Sequence, residues 1–142
     1  MTVEAPPLAA PIPGPRRPAV GRAAFGVQHL IPLGIFAQAV LAGLFLYVDR
    51  DLLAWHNGLG TVLPVIGLAV LVLATMAGFP ARTRLVGLAA VQLVLLVVQH
   101  AVGLLGRESA HAAAFHVPHA FLLFTVAMLW LVRARRALRG AA

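Results

Sequence analysis

The chain has 142 residues, of which 61% are apolar and only 11% charged, against about 45–50% and about 25% in an ordinary globular domain. That leaves too little polar surface to cover a soluble globule, and the lack of cysteine excludes a disulfide framework or a thiolate metal site. All 11 positive charges behind the net +7 are arginine, most of them at the edges of apolar runs, which reads as topology signal and lipid-headgroup contact rather than a nucleic-acid surface.

Residues 1–22 are rich in Pro, Ala and Arg. Prolines this dense block a helix and the segment has little to pack with, so it reads as a disordered tail. It does not read as a signal peptide, because the apolar stretch beyond it continues as a full span. Four apolar runs follow, at about 25–48, 54–78, 84–105 and 113–133. Each meets or approaches the roughly 20 residues needed to cross about 30 Å of hydrocarbon. Runs that are apolar on nearly every face are spanning helices rather than soluble amphipathic ones. The links between them are short, which predicts antiparallel neighbours. The expected fold is therefore all-α: a polytopic membrane protein over 23–136, built as a four-transmembrane-helix, up-down-up-down bundle, with a short tail at 137–142.

Arginine sets the expected orientation. Arg16, Arg17, Arg22, Arg82, Arg84, Arg133, Arg135, Arg136 and Arg139 fall on one side, whereas Arg50 and Arg107 fall on the other with Asp49, Asp51 and Glu108. The positive-inside rule puts both termini in the cytoplasm of a bacterial-type cytoplasmic membrane.

The chemistry lies in a weak internal repeat. Gln38 is followed 18 residues later by His56, and Gln99 is followed 17 residues later by His116. Each Gln lies late in one apolar run and each His opens the next. Two such hairpins would set His56 and His116 on opposite sides of a pseudo-two-fold axis, at one membrane depth. Two imidazoles so placed are what a bis-histidine haem requires. On the expected topology five of the six histidines cluster at the outer face, with His29 alone near the inner side. His100 stands roughly 25 Å above the inner boundary, level with His116. His119 follows His116 on the fourth run, and His111 lies in the second outer loop. Interfacial histidines are also simply tolerated in the headgroup region, and imidazole suits bare Cu or Zn as well as haem.

The neighbours suit a large flat cofactor. Gly60 lies one turn beyond His56, and Leu63 and Gly67 continue that stripe; His116, Ala120, Leu123 and Ala127 form its counterpart. Glycine there would let a macrocycle approach, though small residues also serve close helix packing. Pro64 should kink the second helix near Gly60, while Pro118 falls in the first turn of the fourth. Gln38, Gln92 and Gln99 read as buried amides, either bonding between helices or partnering an imidazole. Arg50 and Arg107 are placed either to meet haem propionates or to pair with Asp49, Asp51 or Glu108.

The segments WHNGLG around His56 and FHVPHAFLLF around His116 resemble one four-helix half of haem A synthase. The chain is also similar to small four-helix membrane proteins whose runs read LQ…AG, H…G, LQ…G and HP or HVPNA. The resemblance covers about residues 30–135 and rests on short motifs. It implies His56 and His116 as axial ligands. It also leaves His119 open as the second ligand, since His119 stands where the small proteins often carry Asn. Haem A synthase has two halves and a loop carboxylate near its catalytic histidine. Here there is one half, and Asp49 and Asp51 lie five or more residues before His56.

The resulting expectation is a small b-type cytochrome that binds haem b and passes electrons near the outer face to or from a quinone or a redox protein, alone or as a homodimer. Two other classes stand beside it. One is a cofactor-free accessory or assembly subunit packing through Gly34, Gly43, Gly67, Gly78, Gly87 and Gly103. The other is a membrane enzyme of haem or quinone chemistry. Nothing in the chain suggests a transport pathway, a phosphate loop or a nucleic-acid module.

Overall fold

The structure is a computed structural model that describes residues 17–79 and 82–140. These residues form helices and short turns: α1 Pro18–Gln28, α2 Leu30–Tyr47, α3 Leu52–Met76, α4 Arg82–Leu105 and α5 Ala110–Arg139. With α1 and α2 taken together, four helical segments are long and apolar enough to cross a membrane. At most 22% of the apolar window of any span is buried inside the protein. Large apolar side chains such as Leu33, Phe36, Val65, Val94 and Phe121 point outward. Such a surface belongs in lipid, and the chain is a multi-pass membrane protein by that criterion.

The elements differ from the sequence expectation mainly at their ends. The first helix starts at Pro18, inside the stretch expected to be an unstructured tail to residue 22; the rest of that stretch, residues 1–16, lies outside the described residues. Pro at the first helical position costs nothing, because its missing N–H is unneeded there. The start is also anchored, since the Arg17 N–H donates to the Ala77 carbonyl (3.0 Å). The helix breaks at His29 rather than running straight on. Pro32 explains the break, because it has no N–H for the Gln28 carbonyl and its ring crowds the preceding turn. At the far end, α5 runs to Arg139, beyond the expected 133 and into the expected tail. Ala, Leu and Arg sustain a helix well, and Arg136 and Arg139 in the last turn complement its dipole.

α5 also begins earlier than expected. Ser109 is its N-cap, its side chain accepting from the Ala112 N–H. Two expectations fail as a result. Pro118 sits inside the helix, not in its first turn, and His111 is in the first turn rather than in a loop. α3 continues through Pro64 without interruption. It ends at Met76, and Gly78 two residues on has a φ of 63°, the left-handed conformation that closes a helix.

The helices pack as a closed ring. α3 lies against α1 and α2 on one side and α4 on the other; α5 lies against α4 and closes the ring against α1 and α2. The internal repeat is plain in what each helix buries. In α3 the buried residues are Leu63, Gly67, Val70 and Ala74. In α5 Leu123, Ala127, Trp130 and Ala134 are buried, each 60 residues further on. Ala24, Gln28 and Ile31 of α1 and α2 correspond likewise to Leu85, Ala89 and Gln92 of α4, at a spacing of 61. Two helical hairpins thus use the same faces.

Away from the histidines, the core holds a polar latch. Gln28 and Gln92 are fully buried and exchange amide bonds: Gln28 Nε2 donates to Gln92 Oε1 (2.6 Å) and Gln92 Nε2 to Gln28 Oε1 (3.0 Å). Gln28 Nε2 also donates to the Ala127 carbonyl (3.2 Å). The Trp130 indole donates to the Leu85 carbonyl (2.9 Å). In hydrocarbon such groups must find partners within the protein, and the latch joins both hairpins.

Candidate functional site

The opposite end of the bundle gathers the polar residues singled out in the sequence. His56 lies just over one turn into α3 and His116 less than two turns into α5. α3 and α5 are not neighbours in the ring, so the two rings meet across its interior, with centroids 6.3 Å apart and planes tilted by 51°.

Each histidine is held by the glutamine that precedes it, through the same bond in both copies. Gln38 Nε2 donates to the His56 carbonyl (2.9 Å), and Gln99 Nε2 donates to the His116 carbonyl (3.1 Å). These amides cross from α2 to α3 and from α4 to α5. They fix the height of each histidine against the adjacent helix.

The rings are held differently. His56 Nδ1 lies 3.1 Å from the Gln38 carbonyl. A carbonyl only accepts, so Nδ1 carries the proton, and Nε2 keeps its lone pair. This is the arrangement common to metal-binding histidines. Phe45 packs edge-on against the same ring, with centroids 5.2 Å apart. His116 has the Gln99 amide nitrogen nearly equidistant from its two ring nitrogens, at 3.2 and 3.1 Å. Its ring also lies over Gly103, where a Cβ would come within 2.9 Å of His116 Cε1.

His119 is tied elsewhere. Its Nδ1 bonds Gln99 Oε1 at 2.6 Å, so one glutamine holds two histidines of α5. His100 lies beside Gly60, its Nδ1 3.7 Å from where a Cβ on that glycine would stand; Gln38 Nε2 is 3.0 Å from the same point. His111 is exposed, and His29 lies at the α1–α2 break with Nδ1 2.8 Å from the Phe25 carbonyl. Arg50 and Arg107 are exposed in the two turns at the histidine end, where the Asp49 carboxylate accepts from the Asp51 N–H (2.9 Å).

The expected stripes do turn inward, with Leu63, Gly67, Leu123 and Ala127 all buried. The glycines divide by role. A Cβ on Gly34 would meet Leu63 Cδ2 at 2.5 Å and one on Gly67 would meet Leu96 Cδ1 at 2.5 Å. These two serve helix packing. Gly60 and Gly103 border the polar cluster, while Gly43 and Gly87 face open space.

Of the three glutamines expected to be buried, only Gln92, in the latch, is; Gln38 and Gln99, in the histidine layer, are partly buried. Gln28, the partner of Gln92, was not among those expected. An amide in an otherwise apolar span was the available signal, but it lay next to the presumed tail.

Among the described residues no group of three or more His, Cys, Asp or Glu is arranged to hold a metal ion. A bare zinc ion takes three or four protein ligands, whereas a bis-histidine haem takes two from the protein. The His56 and His116 rings supply two imidazoles, the donor type and number that a bis-histidine haem takes from the protein. No known family, curated protein or solved structure matches the chain.

Proposed function

We propose that the protein is a small membrane b-type cytochrome whose haem is held by His56 and His116. The observation that carries this reading is the facing pair, with ring centres 6.3 Å apart and each histidine's carbonyl bonded by the preceding glutamine. A haem bound there supplies one-electron redox chemistry at a potential set by its axial ligands and surroundings. The chain's own residues supply the rest. The Gln38 carbonyl keeps His56 in the tautomer that leaves Nε2 for the metal. Gln99 fixes the height of His116, and it is the approach of the His116 ring to that of His56, at 6.3 Å, that favours His116 as the second ligand. A Cβ at Gly60 would press on the Gln38 amide and one at Gly103 on the His116 ring, so both glycines keep these groups in place. Arg50 and Arg107 are available to propionates at the adjacent surface.

In this reading the helices run up-down-up-down, the arginine-rich end and both termini face the cytoplasm, and the histidine layer lies toward the outer face. The resemblance to one half of haem A synthase points the same way. A single half suits electron transfer between a lipid-soluble or protein donor and acceptor better than a complete synthase. The test is a reduced-minus-oxidised visible spectrum of the detergent-purified protein. Wild type should show sharp low-spin α and Soret bands, and His56→Ala and His116→Ala should each lose them. A wild type that stays colourless after haem is added would refute the reading and favour the cofactor-free accessory subunit.

A further inference from the structure

Among the described residues, Gln38 Oε1 is the one buried side-chain oxygen or nitrogen without a hydrogen-bond partner. The repeat explains why. Gln99, its counterpart, uses both ends of its amide, with Nε2 on the His116 carbonyl and Oε1 on His119. The residue 60 positions before His119 is Leu59, which has nothing to donate. The second hairpin thus fills its acceptor internally and the first does not.

The amide that carries this acceptor lies beside Gly60 and His100. Gly60, one turn beyond His56, separates the Gln38 amide from the His100 imidazole: a Cβ there would lie 3.0 Å from Gln38 Nε2 and 3.7 Å from His100 Nδ1. No described group bonds the His100 ring. Gln38, Gly60 and His100 are each only partly buried. Oε1 itself is covered, but by residues that are only partly enclosed, so a shift of neighbouring side chains admits a ligand with the Nε2 bond to the His56 carbonyl kept. Gly60 is eight residues into α3, about 12 Å along the helix. At that depth in a spanning segment a ligand arrives through lipid. It must carry a donor for Oε1, and an apolar body suits the outward faces of these helices.

We propose that Gln38, Gly60 and His100 form a binding recess for the headgroup of a membrane-soluble hydroquinone, one hydroxyl donating to Gln38 Oε1 beside the His100 ring. The recess adjoins His56 directly through the Gln38–His56 bonds. The claim is one of binding. It names the small-molecule partner of the cytochrome reading, and only that redox role rests on the reading.

The test uses the full chain in lipid nanodiscs, with and without added haem. The probes are a decyl-substituted benzohydroquinone under reducing conditions and its dimethyl ether, which has the same ring and tail but no hydroxyl. Binding is read as a saturable rise in unfolding temperature. Wild type should bind the hydroquinone at least tenfold more tightly than the ether. Leu59→His, which copies His119 and gives Gln38 Oε1 an internal donor, should weaken hydroquinone binding at least tenfold while keeping the Gln38 bond to the His56 carbonyl. Should that variant not fold, His100→Leu carries the same comparison. No saturable binding by wild type, equal affinity for the ether, or unchanged binding in these variants would each overturn the proposal. Because binding is read without a visible band, failure here leaves the cytochrome reading standing, and a colourless protein leaves this site open to test.

Discussion

At the scale of single residues, Gly67 and Gly103 differ in what an added Cβ would meet. Gly67 lies in the core, where the added Cβ of an alanine would meet Leu96 at 2.5 Å. Gly67→Ala should destabilise the bundle by about 1–3 kcal/mol, the usual cost of overpacking. Gly103 faces a ring edge at 2.9 Å, and His116 can yield by rotating. Gly103→Ala should therefore leave stability within about 1 kcal/mol of wild type but shift or broaden the haem absorption bands. Unfolding titrations and visible spectra on both variants check this; the reverse pattern would show that the roles are misassigned. His56, His116, Gln38 and Gln99 were legible in the sequence because polar residues are costly in a span and stand out there. The hydrogen bond that ties His119 to Gln99 was not legible, since spacing places two residues on one face without saying which amide atom meets which imidazole.

At the scale of elements, the Gln28–Gln92 latch holds α1 to α4 and, through Ala127, to α5. Replacing one glutamine strands the other in a dry core. Gln28→Leu or Gln92→Leu should each cost about 1–3 kcal/mol. The double variant should cost less than the sum of the two, because removing both partners leaves no orphan. A double-mutant cycle by reversible unfolding in micelles measures this, and strict additivity would contradict the latch. The number and rough extent of the spans were readable from hydropathy, but their ends were not. Ser109 starts α5 within a polar stretch that reads as loop, and Pro32 breaks the first span within a run that reads as continuous. Both depend on local backbone bonding, which an apolar average does not register.

At the scale of the whole molecule, the bundle is two copies of one hairpin that differ in how the histidine layer is bonded. Buried positions repeat at 60 and 61 residues, and so do the glutamine–histidine bonds. The sequence carried this repeat in only four residues, because lipid-facing positions accept any apolar side chain and erase the rest of the pattern. The symmetry brings His56 and His116 together across the ring, and the departure from it, Leu59 against His119, leaves one amide oxygen unpaired. The central claim is that these two histidines occupy both axial positions of one haem. It is tested most directly by titrating haem into the purified protein and exposing the reduced complex to carbon monoxide. Binding that saturates at one haem per chain, low-spin and insensitive to carbon monoxide, is the result expected of two protein ligands. A reduced complex that readily takes up carbon monoxide, or haem uptake that never saturates, would contradict it.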